Sequence, residues 1–167
     1  MSTAAVGLEA SCSLKPAGRA GIVFKRLPPG RFDQLMADVR QLLQLQGQDT
    51  AIKAEEHLDQ LGFDWLIITG GSPDYQDALA GIHSVAQGLI EEGLGDLLLA
   101  CAFRFDQNGR RVYWIYGYKQ ATFYPFVPTG DHQRDNAEEL RLAAIAKTEL
   151  PVEPMLERWY ALWDLPV

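Results

Sequence analysis

The sequence predicts an α+β domain: a mostly antiparallel sheet of six to seven strands, built from three hairpin-plus-helix units, with the helices on one face. Two observations carry this expectation. The hydrophobic period switches three times between two and roughly 3.6 residues, and glycine or proline clusters punctuate the switches. Hairpins followed by helices favour a layered antiparallel sheet over a parallel one. At 167 residues, 47% apolar and 22% charged, the chain has the size and balance of a single folded domain spanning 1–167, large enough to bury a core without disulfides or a structural metal.

The first unit opens with Val6, Leu8, Ala10 and Cys12 alternating with more polar neighbours up to Pro16-Ala17-Gly18. Ile22 and Phe24 alternate beyond that turn, which reads as a first hairpin. After Pro28-Pro29-Gly30, Phe32, Leu35, Met36, Val39, Leu42 and Leu43 recur on one helical face as far as Gly47. The second unit has strands over Ala51–Leu58 and Phe63–Thr69 around Gly62. A helix follows, with Ser72 as N-cap, Pro73 in its first turn, and an inward stripe of Tyr75, Leu79, Ile82, Ala86, Leu89 and Ile90.

The third unit pairs Leu97–Phe105 with Arg111–Tyr118 through Asp106-Gln107-Asn108-Gly109, where Asn-Gly suits a tight turn. An extended segment, Thr122–Val127, comes next, followed by a helix over Asp135–Lys147. Pro154 is expected to open a short last helix with Met155, Leu156, Trp159, Leu162 and Trp163 on one face. That helix either closes the core or docks a partner. Val39, Leu42, Ile67, Ile82, Leu98 and Phe103 are expected against one sheet face.

The net charge of −7 opposes a phosphate backbone, and the basic residues are scattered, which argues against nucleic acid and against direct adhesion to an anionic bilayer. Cys12 and Cys101 have no metal or redox spacing and read as small buried hydrophobes. No signal peptide or membrane-length apolar run is present, so a reducing, cytoplasmic setting is expected.

Catalytic signals are sparse. Glu55 and His57 alternate on one strand face but make only half a metal site, so no metal is expected. His83 is expected to be semi-buried, His132 sits beside Asp131 in a polar loop, and Gly70-Gly71 lacks the partners of a phosphate loop. The distinctive stretch is aromatic: Tyr113, Trp114, Tyr116, Tyr118, Phe123, Tyr124 and Phe126 precede Gln133-Arg134-Asp135-Asn136. Such rings build a core, an exposed docking surface, or both. Because strand residues alternate and helices cover one side, some rings are expected to face outward. Asp135 reads either as a helix cap beside a paired Arg134 or as part of an anion or partner site.

Tyr118-Lys119, Thr122-Phe123-Tyr124-Pro125-Phe126, Gln133-Arg134-Asp135-Asn136-Ala137 with Glu139-Leu140, Leu150-Pro151-Val152-Glu153-Pro154, Arg158-Trp159 and Trp163 resemble, in order and spacing, the PspA-associated protein PspAB family. Gly62 with Trp65, and Gly7-Leu8-Glu9-Ala10, are similar too, so the resemblance covers nearly the whole chain and is strongest from Arg110 on. It implies association with phage shock protein A (PspA), a coiled-coil protein that assembles on the inner membrane surface during envelope stress. It brings no established enzymatic activity and no cofactor. It also implies an additional N-terminal segment ahead of the first hairpin, so that this chain reads as a trimmed or shorter member.

The expectation is therefore a non-enzymatic, cytoplasmic adaptor recruited to the membrane only indirectly. Its expected partner surface is Trp114, Tyr116, Tyr118, Tyr124, Arg134, Asp135, Trp159 and Trp163. The alternatives are a small-molecule binder or enzyme with a pocket near Tyr124, His132 and Arg134, and a homodimer formed through the last helix or a sheet edge.

Overall fold

A computed structural model describes residues 2–45, 53–70, 76–163 and 165–167. Its centre is a six-stranded, wholly antiparallel sheet in the order β2-β3-β1-β4-β5-β6. The strands are β1 (Lys15–Phe24), β2 (Lys53–Leu58), β3 (Asp64–Thr69), β4 (Leu98–Gln107), β5 (Arg110–Gly117) and β6 (Thr122–Phe126). A small two-stranded ribbon, β7 (Pro128–Gly130) with β8 (Gln133–Arg134), lies beyond them. The helices α1 (Ser2–Cys12), α2 (Arg31–Leu45), α3 (Gln76–Glu91) and α4 (Asn136–Ala146) contribute to one core on one sheet face. The predicted α+β class and layering are present.

The first expected hairpin is replaced by α1 and a single long β1. Leu8 and Cys12 fit either period, and the burial of Ala5, Leu8 and Cys12 with Val6 exposed is helical spacing. The alanines at 4, 5 and 10 add helix propensity. Gly7 lets α1 approach closely, since a Cβ there would overlap the Glu149 carboxylate. The expected turn at Pro16-Ala17-Gly18 is instead an irregularity within β1, where the β1–β4 register shifts between Pro16 and Ala20 and Gly18 takes φ 64°.

The other two units follow the expected plan. Asn108 (φ 50°) and Gly109 (φ 79°) make the tight β4–β5 turn. In α3, Ala78, Ile82, Val85, Ala86 and Leu89 face the core, while Ile90, expected inward, and His83, expected semi-buried, are exposed. Leu42, Leu43, Gly47, Ala51, Ser72, Pro73 and Tyr75 lie outside the residues whose side chains are described.

Each central strand buries both faces. Ile22, Phe24, Leu66, Ile68, Leu98, Phe103 and Trp114 point to the helices, where Val39 of α2 and Ile82 of α3 join the same core. Val23, Trp65, Ile67, Ala102, Tyr113 and Ile115 point the other way, so Ile67 is on the face opposite to the one expected. Among the described helices only α4 reaches that second face, through Ala143. The C-terminal segment 150–167 straps it. Phe123 bridges Val152, Trp159 and Val167 join the second core, Tyr113 Oη donates to the Val167 carbonyl (3.1 Å), and Arg19 donates to the Pro166 carbonyl (2.9 Å). Gly21 makes the seat for Val167, because a Cβ there would lie 2.7 Å from its Cγ1.

The expected last helix is only a single 3-10 turn, Leu156–Arg158. Glu153 explains why. Its carboxylate accepts from the Met155 amide (3.0 Å), its carbonyl accepts from the Trp159 indole (3.0 Å), and the segment folds around that residue. So short a piece has little helical stability of its own. No helix among the described residues is long and apolar enough to cross a membrane.

Candidate functional site

The aromatic run splits between the two cores. Trp114 is fully buried on the helix face, with Tyr116 and Tyr118 half-buried on the same side. Tyr116 packs against Tyr118 (5.2 Å between centroids) and Phe123 (4.8 Å). On the strapped face Tyr124 is buried, stacked on buried Trp159 at 6.4 Å, and half-buried Trp163 meets Phe126 edge-on at 5.3 Å. The expectation that helices cover one side and leave the other side's rings outward is corrected here: the chain covers the second face with its own tail. Trp114, Tyr124 and Trp159 present almost no surface. Burial pushes the Tyr124 hydroxyl's pKa well up. It also raises Tyr118, which lies 3.2 Å from the Cys101 thiol.

Arg134 and Asp135 have structural tasks. The Asp135 carboxylate accepts from the Glu138 amide (3.0 Å), capping α4, and pairs with Arg110 at 3.2 Å. Arg134 Nε donates to both oxygens of buried Glu139 (2.9 and 2.8 Å), its Nη1 donates to the Trp159 carbonyl (2.8 Å), and its guanidinium lies 5.1 Å from the Phe126 ring centroid. Glu139 Oε1 also accepts from the Val127 amide (2.8 Å). Arg134 thus ties α4, the end of β6 and the tail together, and it does not aim at a ligand. Burial raises the Glu139 carboxyl, while Arg134 and the Val127 amide pull it back.

The pocket sketched around Tyr124, His132 and Arg134 does not assemble. Tyr124 lines one cleft, His132 lines another of about 200 Å³ beside Trp163, and Arg134 lines neither. His132 (φ 50°) sits 5.2 Å from the Trp163 ring and 3.7 Å from Asp131. On β2, Glu55 lies 3.6 Å from Arg19 and His57 is exposed. Among the described residues no three His, Cys, Asp or Glu side chains gather as a metal site.

The larger cleft, about 770 Å³, was not anticipated. Its floor is the strapped face of the sheet, with Val23, Trp65, Ala100 and Tyr124. One wall is the β2–β3 turn from His57 to Phe63, and the other is the tail from Arg158 to Trp163. The turn wall is rigid because Asp59 accepts from the amides of Leu61 and Phe63 (both 2.9 Å) and from the Trp65 indole (3.1 Å). Glu153, at the other side, accepts from Thr122 Oγ1 (2.8 Å) and lies 3.8 Å from Arg158. The available sequence signal was the hairpin register, which sets Ala100 opposite Gly117, two small residues at the open end of the β4–β5 pair.

Fold and cleft together define an α+β domain whose second sheet face is strapped mainly by its own C-terminal segment, with an open apolar trough beside the strap. The family model PspA associated protein B matches residues 1–167, the whole chain, and the chain belongs to that family. No curated protein and no solved structure matches it.

Proposed function

We propose that the chain is a non-enzymatic accessory protein that binds PspA through its aromatic-rich C-terminal region, and that PspA brings it to the inner membrane surface. The observation that carries this reading is the family match over the full length, whose description names association with PspA. The folded tail supports it by displaying Met155 (47% exposed) and Leu156 (52% exposed) on a segment fixed by hydrogen bonds at Glu153 and Trp159. Large apolar side chains held outward on an ordered backbone lose little entropy on docking, which favours them as anchors. Of the expected partner residues, Tyr116, Tyr118 and Trp163 keep partial exposure, as do Arg134 and Asp135, whose side chains are engaged in ion pairs. Tyr124, Trp159 and Arg134 act in this reading by holding the tail in place, and Trp114 by filling the core on the helix face.

The test is capture of purified PspA by the full chain and by Leu156→Asp. Wild type binds, and Leu156→Asp weakens capture by about 1–3 kcal/mol, the range of a modest hot spot, with unchanged melting temperature. Undiminished capture by folded Leu156→Asp removes the tail surface. Absence of capture by the wild type removes the accessory role.

A further inference from the structure

The trough on the strapped face is hollow because side chains are missing at its centre. Ala100 on β4 lies opposite Gly117 on β5 and beside Val23 on β1, so three neighbouring strands contribute only small or β-branched groups to that patch. A Cβ at Gly117 would meet only the Gln120 side chain, at 3.0 Å. Around the hollow stand Trp65, Leu99, Tyr124, Leu162 and Trp163. A volume near 770 Å³, concave and mostly apolar, falls in the range of small-molecule sites.

The charges at the trough are not balanced. Its carboxylates are already committed: Asp59 to two amides and an indole, Glu153 to Thr122, the Met155 amide and Arg158. Among the described residues Lys119 lines the trough with no ion pair, and Arg158 is held by Glu153 only at 3.8 Å. In a protein of net charge −7, one unpaired and one loosely paired cation beside an apolar hollow select one kind of occupant. We propose that this trough binds a small amphipathic anion, a hydrocarbon or aromatic body carrying a single carboxylate or phosphate head. The body lies on Trp65, Leu99 and Leu162 over Ala100, and the head reaches Lys119 and Arg158 as a charge-assisted hydrogen-bond acceptor. This site is distinct from the Met155 and Leu156 ridge, which lies outside the trough lining.

The experiment titrates bromine-tagged dodecanoate, below its micelle concentration, into the full chain and follows tryptophan fluorescence, since Trp65 and Trp163 line the trough. Calorimetry with dodecanoate, dodecyl phosphate and neutral dodecanol runs beside it. The proposal predicts saturable one-to-one quenching by the carboxylate, and calorimetry shows which head is preferred. Ala100→Phe, which fills the hollow, and Ala161→Trp, which fills it from the tail, each weaken binding about tenfold or more. Lys119→Glu weakens both anions several-fold and leaves dodecanol unchanged. The absence of saturable binding by wild type overturns the proposal, as does wild-type affinity in a folded filling variant. A wild type that binds no amphiphile, with PspA capture abolished by Ala100→Phe, overturns it too and assigns the trough to partner side chains.

Discussion

Replacing Arg134 with alanine removes the cation from a carboxylate that has almost no access to water. Glu139 is 1% exposed, and its remaining described partner is the Val127 amide at 2.8 Å. Removing one member of a buried ion pair typically costs about 3–5 kcal/mol, because the other charge is left uncompensated. Arg134 also gives up its bond to the Trp159 carbonyl. For a domain of this size each kcal/mol moves the melting temperature by roughly 2–4 °C, so a fall of about 6–20 °C is expected. Arg134→Ala with Glu139→Gln should recover part of the loss, since the orphaned charge is gone while the amide oxygen still accepts from Val127. The sign with pH follows from burial. The folded Glu139 carboxyl titrates above its ordinary value near about 4.3, so its contribution to stability falls as pH rises through the window between the two values. Without Arg134 the folded value climbs further, and the variant's deficit should grow with rising pH and shrink in acid. Urea denaturation of the four-member cycle across pH measures this. An unchanged midpoint for Arg134→Ala, or strict additivity of the double variant, refutes the reasoning.

Ile82→Ala empties a site between α3 and the sheet, and should cost about 2–5 kcal/mol in chemical denaturation. Cys101, whose thiol burial pushes up to about 12, and Cys12, also raised, should resist alkylation in the native protein at pH 8 and react fully on unfolding. Glu138 is held below the carboxylate range, chiefly by hydrogen bonds from Arg141 (both 2.7 Å). Its contribution is therefore complete above the unfolded value near about 4.3 and is lost as pH falls through the folded one, so Glu138→Gln should flatten the acid limb of the stability curve.

The fold was legible where side-chain period and turn chemistry agreed. Asn108-Gly109 fixed a hairpin whose register carries the whole β4–β5 pair, and the i, i+3, i+4 spacing of Leu35, Met36 and Val39 marked α2. It was misread where two periods coincide: Leu8 and Cys12 are four apart, which suits a strand face and a helix face alike, and the burial of Ala5 with the exposure of Val6 and Ala10 separates them. The tail was misread because Met155, Leu156, Trp159, Leu162 and Trp163 have helical spacing, while the bonds that prevent a helix run from Glu153 to Thr122 and Trp159, contacts that spacing does not encode. The role of Asp135 as a cap was readable, because capping is local. The strap, and the trough beside it, arise from contacts between Val167, Gly21, Trp65 and Ala100 that are distant in sequence.

The central claim is association with PspA, and sedimentation velocity of the fluorescently labelled full chain with a series of PspA concentrations tests it most directly. The account predicts that the labelled chain moves into the faster PspA boundary in a saturable manner, and that Leu156→Asp shifts the midpoint to higher PspA concentration. A labelled chain that sediments at its own rate at every PspA concentration, while retaining its native melting transition, contradicts the account.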